Sequence, residues 1–227
     1  MSQPFYVSPE QLMKDRAEFA RKGIARGRSV VVTRYADGVL MLAQNPSQTL
    51  HKVAEIYDRI GFAAVGKYNE FETLRQAGVR YADLRGYSYD RIDVTARGLT
   101  NAYAQTLAGV FTTESKPFEV ELVVAEVGDT PESDRLFRLS YDGSVADEGD
   151  HVAIGGRAEA VATRLQDSAG ASAALDVALA DAVRALTDPG EGTIPVEHLE
   201  AAVLDRTVTS HRKFRRLPVD ELRELLG

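Results

Sequence analysis

The stretch Ser29-Val30-Val31-Val32-Thr33-Arg34-Tyr35, Ala36-Asp37-Gly38, Val39-Leu40-Met41-Leu42-Ala43-Gln44 decides the fold. Two apolar runs flank an Asp-Gly turn, a strong short-range hairpin signal. Asn45-Pro46-Ser47 then breaks the pattern, and residues 52–58 and 60–66 read as a second pair of strands. Helices are predicted next, over 68–85 (Phe71, Leu74 and Val79 on one side) and 93–112. In the latter, Leu99, Tyr103, Leu107 and Phe111 recur every four residues. Strands return at 118–127, 136–141 and 145–147, the last two around Asp142-Gly143. Helices follow over 157–167 and 172–186, then a Pro/Gly/acidic loop from Thr187 to Pro195. Strands over 199–207 and 212–216 come next, and a short helix runs from Pro218 through Leu226.

Upstream of the first hairpin, Ser8-Pro9-Glu10-Gln11 is a helix start. Ser8 can cap, Pro9 suits the first helical position, and Gln11 can complete a capping box. This helix is predicted over 9–25. Its apolar residues, among them Leu12, Met13, Phe19, Ala20 and Ile24, form a wide stripe that implies contact with more than one surface. Residues 1–8 carry no helical or alternating pattern and read as a tail. Strands and helices come in blocks separated by hairpin turns. That order argues an antiparallel α+β layering rather than a parallel βαβ sheet.

The chain has 227 residues, with no composition shift or long linker to divide it, so a single domain is expected. It has no Cys, which excludes a disulfide scaffold, a thiol nucleophile and a cysteine metal cluster. Lys plus Arg number 27 against 34 Asp plus Glu, a net charge of −7 that argues against nonspecific binding to nucleic acid. No apolar run is long enough to span a bilayer, and residues 1–9 lack the pattern of a secretory signal. A soluble, cytoplasmic protein with no membrane partner is expected.

Several motifs carry a chemical and a bland reading. Gly61-Phe62-Ala63-Ala64-Val65-Gly66-Lys67 has phosphate-loop spacing, but Tyr68 follows where a hydroxyl for magnesium is needed, and the intervening residues favour a buried strand. His51, His151, His198 and His211 are scattered without metal-ligand spacing, so neither metal nor cofactor is expected. Asp147, Glu148 and Asp150 read as solvated loop carboxylates. Tyr81, Tyr87 and Tyr89 interleave with Arg80, Arg85 and Arg91 as base-stacking sites do, yet Asp83, Asp90 and Asp93 offset the charge. A packed helix end is expected there. Lys52 opens an apolar strand. On residues alone it is either an ordinary edge lysine or a partly desolvated cation awaiting a carboxylate.

Longer runs carry a resemblance. Ser8-Pro9-Glu10-Gln11-Leu12-Met13, continued by Ala20-Arg21-Lys22-Gly23-Ile24-Ala25-Arg26-Gly27, closely resembles the start of actinobacterial proteasome alpha subunits. Asn45-Pro46-Ser47, Tyr57-Asp58-Arg59-Ile60-Gly61, Arg85-Gly86-Tyr87, Tyr103-Ala104-Gln105-Thr106-Leu107 and Phe118-Glu119-Val120-Glu121-Leu122 fit the same family in order. The resemblance implies the N-terminal-nucleophile hydrolase fold, a four-layer αββα sandwich of two antiparallel sheets between helical layers, with an extra N-terminal helix. It also implies seven-membered rings of identical alpha subunits capping catalytic beta rings. Leu12, Met13, Phe19 and Ile24 would then be ring contacts.

The resemblance further implies that the chain is not catalytic. The nucleophile of this fold stands at the head of the first strand with its own amine as base. Here Ser2 precedes a tail and a helix, Gly192-Thr193 comes far too late, and Gln44 stands where catalytic relatives carry an acid. An N-terminal-serine amide hydrolase using Ser2 is the alternative reading. What remains by resemblance is gating and docking. Ser2, Gln3, Pro4, Phe5, Tyr6, Val7, Ser8 and Pro9 would form the gate. Lys52 would pair with the terminal carboxylate of a ring-shaped ATPase, with Gly66 and Gly27 lining the pocket. Substrates would be unfolded proteins, tagged in this lineage with a prokaryotic ubiquitin-like protein.

Overall fold

A computed structural model describes residues 8–190 and 192–227. It has ten strands: β1 (Val30–Tyr35), β2 (Gly38–Gln44), β3 (Val53–Tyr57), β4 (Ile60–Gly66), β5 (Val120–Glu126), β6 (Arg135–Leu139), β7 (Val145–Glu148), β8 (His151–Ile154), β9 (Leu199–Asp205) and β10 (Phe214–Leu217). Six α-helices accompany them: α1 (Pro9–Ala25), α2 (Tyr68–Ser88), α3 (Ala96–Thr113), α4 (Ala158–Leu165), α5 (Leu175–Leu186) and α6 (Val219–Leu226). One five-stranded sheet runs β10-β9-β2-β1-β8 and the other β3-β4-β5-β6-β7. Every pairing is antiparallel.

Three apolar clusters bind four layers. Between the sheets, Val30, Val32 and Met41 of one meet Val65, Val123 and Ala125 of the other. The outer face of the first sheet packs Leu40, Leu42 and Val203 against Leu165, Leu179 and Leu222 of α4, α5 and α6. The outer face of the second packs Phe62, Leu122 and Val124 against Leu74, Leu99, Tyr103 and Leu107 of α2 and α3. Central strands buried on both faces lose the strict alternation of half-exposed ones, which is why β2 and β4 read as unbroken apolar runs. The order is helices, sheet, sheet, helices, the expected αββα sandwich.

The boundaries shift in places. Residues 151–154, which carry no strand signal of their own length, form edge strand β8 because Val30–Thr33 offer a free ladder to pair with. The second long helix begins at Ala96 rather than 93, since the Thr95 side chain accepts from Gly98 N–H at 3.1 Å and caps it. The helix expected from 172 begins at Leu175, because Ser172 closes a short 3₁₀ turn that starts at Gly170. Tyr141 lies outside β6, its ring packed 5.6 Å from Phe111. Pro218 caps α6 rather than starting it.

At α1, Ser8 Oγ accepts from Gln11 N–H at 3.2 Å as expected. The capping box stays half formed, because the Gln11 amide turns forward to Asp15 Oδ1 at 2.7 Å. Ala20 and Ile24 of this helix enter the inter-sheet core.

Candidate functional site at the mouth of β3

The site is built where three chain segments converge. The first is the turn from α1 into β1. Gly27 N–H donates to Ile24 O at 2.9 Å, closing the helix, and Arg28 follows as an exposed link. The second is the loop from Asn45 to Lys52, which folds on itself. The Asn45 amide donates to Leu50 O at 2.7 Å, and Leu50 N–H donates to Ser47 Oγ at 3.1 Å. The third is the end of β4 at Gly66, where Lys67 N–H donates to Glu119 O at 2.9 Å.

Lys52 joins these segments. Its carbonyl accepts from Ala64 N–H at 2.9 Å, which sets it beside the end of β4. Its Nζ donates to the Arg28 carbonyl at 2.8 Å. The residue is half-buried, and its amine is held down to about pKa 8. Desolvation is the main cause and Arg28 adds to it, while the negative charge of Glu200 opposes both. An ammonium has three N–H donors, and a backbone carbonyl takes one here. The remaining donors suit a carboxylate, because a charge-assisted contact in a partly dry cleft is stronger than a neutral one.

The two glycines are required by close approach. Gly66 has φ +121°, and a Cβ there would fall 1.9 Å from Glu119 O. A Cβ on Gly27 would fall 2.4 Å from Val65 Cγ1 and 3.4 Å from Gly66 N. Lys52, Gly27 and Gly66 are therefore brought together at one end of the inter-sheet core.

A residue absent from the sequence reading organises this place. Glu200 of β9 is 9% exposed. Its carboxylate collects the Asn45 amide, the backbone N–H groups of Lys52 and Val53, and the Arg216 guanidinium, with His51 Nδ1 at 3.2 Å. One signal pointed to it: a single carboxylate inside the otherwise apolar run Leu199 to Leu204.

Other expectations resolve differently. Ile24, expected among ring contacts, is 8% exposed and committed to the chain's own core, so it offers little to a neighbour. Leu12 and Phe19 stand 43% and 48% exposed and Met13 is intermediate. Ser8 is the helix cap and Pro9 the first residue of α1, while Ser2 to Val7 lie outside the described residues. Gly61 to Gly66 form central strand β4, buried along most of its length, and not a phosphate nest. Of the helix end expected to pack, Tyr81 joins the apolar cluster under α2 and α3, while Leu84, Tyr87, Tyr89 and Ile92 are 68%, 92%, 73% and 81% exposed. Arg85 and Arg91 lie over the Tyr89 and Tyr57 rings of the same chain. Among the described residues no group of three or more His, Asp or Glu is placed to hold a metal ion. Among them, no helix is long and apolar enough to cross a membrane.

Two clefts open on the surface. One of about 740 Å³ is lined by Arg21, Glu121, Arg138 and Arg157 among others, and one of about 390 Å³ by His51, Glu55, Arg75, Arg212 and Arg216 among others. Lys52 lines neither.

Two antiparallel five-stranded sheets packed face to face, helices on both outer faces and a helix ahead of the first strand define a proteasome-type sandwich. A model of the proteasome subunit family matches residues 24–193. The chain is 66% identical to the proteasome subunit alpha of Xylanimonas cellulosilytica, over 96% of this chain and 93% of that protein. It is 62% identical to that of Kineococcus radiotolerans, over 100% and 99%, and 60% identical to that of Streptomyces coelicolor, over 100% and 91%. The chain belongs to the proteasome subunit family, on the side of its alpha subunits.

Proposed function

We propose that the chain is a non-catalytic ring subunit of a cytoplasmic bacterial proteasome core. Seven copies form a ring on the beta rings, restrict entry and receive an activating ATPase. Residues 1–8 gate the axial pore. Lys52 pairs with the C-terminal carboxylate of the ATPase, with Gly27 and Gly66 at the pocket wall. Substrates are unfolded proteins, in this lineage carrying a prokaryotic ubiquitin-like tag.

The observation that carries this reading is the Lys52 ammonium, half-buried and donating to a lone backbone carbonyl at 2.8 Å. A pocket at this place is completed by an adjacent copy in the ring. Exposed Leu12 and Phe19 on α1, and the apolar tip at Leu84, Tyr87 and Ile92, support life inside an assembly. Against catalysis, the head of β1 is occupied. Ser29 is 4% exposed and remains peptide-linked to Arg28 and the α1 helix, so no free amine stands beside it to act as base.

The test is co-expression with the beta partner. A large cylinder in native mass measurement and a loss of ATPase-stimulated degradation in Lys52→Ala support the proposal. A persistent monomer overturns the assembly claim. Robust peptide hydrolysis by the isolated chain, abolished by Ser2→Ala, establishes the hydrolase reading instead.

A further inference from the structure

Glu200 is unusual for its surroundings. It interrupts an apolar strand, its neighbours Leu199 and Ala201 point to the core under α5 and α6, and it is 9% exposed. A carboxylate taken out of water is costly unless its lone pairs are filled. Here they are filled by one loop and one arginine. Oε2 accepts from Asn45 Nδ2 at 2.7 Å and from Lys52 N–H at 2.9 Å. Oε1 accepts from Val53 N–H at 3.2 Å and from Arg216 Nη1 at 3.0 Å, with His51 Nδ1 at 3.2 Å. Arg216 closes the ring by donating Nη2 to Val53 O at 2.7 Å.

Every donor but Arg216 belongs to the segment 45–53. The carboxylate thus clamps the loop that ends in Lys52, and it does so through the backbone of Lys52 itself. No ion pair within 4.0 Å joins Lys52 Nζ to Glu200 among the described residues, so the side chain of Lys52 remains pointed at Arg28 O.

We propose that Glu200 is the positioning residue of this docking site, fixing the backbone that carries the Lys52 ammonium and setting a negative charge beside that backbone. The inference rests on the docking reading of Lys52. The charged groups acting on the amine are Glu200 from β9 and Arg28 from the α1–β1 link, while Arg216 from β10 and His51 stand at the Glu200 carboxylate. Lys67 beyond β4 is turned to Glu70 at 4.0 Å. Glu200 favours the charged amine and Arg28 disfavours it. A carboxylate that only held the loop would influence affinity without moving the pH at which the amine loses its proton.

The experiment measures binding of a fluorescent peptide bearing the last residues of the ring ATPase and a free C-terminal carboxylate. The target is the particle assembled with beta subunits, titrated across pH. Glu200→Gln, in particles of wild-type mass, is expected to weaken binding about tenfold at neutral pH. It is also expected to move the alkaline loss of binding to lower pH. Arg216→Gln removes the cation that offsets Glu200 and is expected to move that loss to higher pH. It keeps the test decisive if Glu200→Gln fails to assemble. Asn45→Ala loosens the clamp without changing charge and is expected to weaken binding at an unmoved midpoint. If Lys52→Ala abolishes binding while Glu200→Gln and Arg216→Gln titrate as wild type does, the positioning role is overturned and docking survives. If Lys52→Ala binds as wild type does, the docking reading itself falls.

Discussion

Lys52 Nζ donates to the Arg28 carbonyl across 2.8 Å, tying the mouth of β3 to the link between α1 and β1. The residue that would meet a partner's carboxylate is thereby held against the base of the helix that precedes the sandwich. A partner that draws the ammonium toward itself competes with that contact and loosens the link next to α1. Under the docking proposal, this one hydrogen bond would couple docking to the position of the N-terminal helix.

Docking should fail in alkali. The Lys52 amine sits at about 8, below its ordinary 10.5, because burial disfavours its charge and Arg28 repels it. Only the protonated form pairs with a carboxylate, so peptide affinity is expected to hold below about 8 and fall above it. Binding a carboxylate raises the amine's pKa, so the bound complex loses its proton later than the free site does. The stability linkage has the opposite sign. The folded chain holds this proton more weakly than the unfolded chain, so the group's contribution to stability rises with pH between about 8 and 10.5. Fluorescence anisotropy and thermal melts over the same pH series check both slopes.

The two glycines of the site should differ sharply. Gly66→Ala forces an alanine into φ +121° with its Cβ 1.9 Å from a backbone oxygen, and neither can yield cheaply. It is expected to cost at least about 2–4 kcal/mol and to depress soluble assembly. Gly27→Ala has no left-handed backbone to strain and meets the buried Val65 side chain at 2.4 Å, a side-chain rather than backbone clash, at about 1–3 kcal/mol. Denaturant midpoints of the two variants test the ranking.

The sandwich also rests on one buried ion pair far from the site. Asp134 is 0% exposed, and Arg206 meets both its oxygens at 3.0 and 2.8 Å. Gly128 N–H donates to the same carboxylate at 2.8 Å. Asp134→Ala strands a guanidinium of low exposure and is expected to cost about 3–5 kcal/mol. A calorimetric melt that leaves Tm within a degree of wild type contradicts this.

Removing residues 2–7 should open the particle. Under the gating proposal, hydrolysis of short peptides by assembled particles rises without any activator, while the mass of the cylinder stays the same. Unchanged peptide hydrolysis in the truncated particle assigns the gate elsewhere.

The layering was legible because hairpin turns at Asp37-Gly38 and Asp142-Gly143, and the four-residue recurrence from Leu99 to Phe111, are local signals. Strand β8 was not, because His151 to Ile154 gains strand geometry only by pairing with β1. Lys52 stands out as a cation opening an apolar strand, Gly66 and Gly27 join it only through resemblance, and the fold sets the three near one another. Glu200 was hidden for a different reason. Its partners at 45–53 lie about 150 residues away in sequence, and only the pairing of β2 with β9 brings them within reach. At the end of α2 the expectation of packing holds for Tyr81 and fails for Tyr87 and Tyr89, because an aromatic at a helix end looks the same in sequence whether or not its own chain covers it.

The most direct measurement compares two forms of one peptide, the last residues of the ring ATPase, on particles assembled with beta subunits. One form ends in a free carboxylate and the other in an amide. Wild-type particles are predicted to bind the carboxylate form and to discriminate strongly against the amide. Lys52→Ala particles of equal mass should bind both forms equally weakly. Equal binding of both forms by wild type, or undiminished binding by Lys52→Ala, would contradict the account.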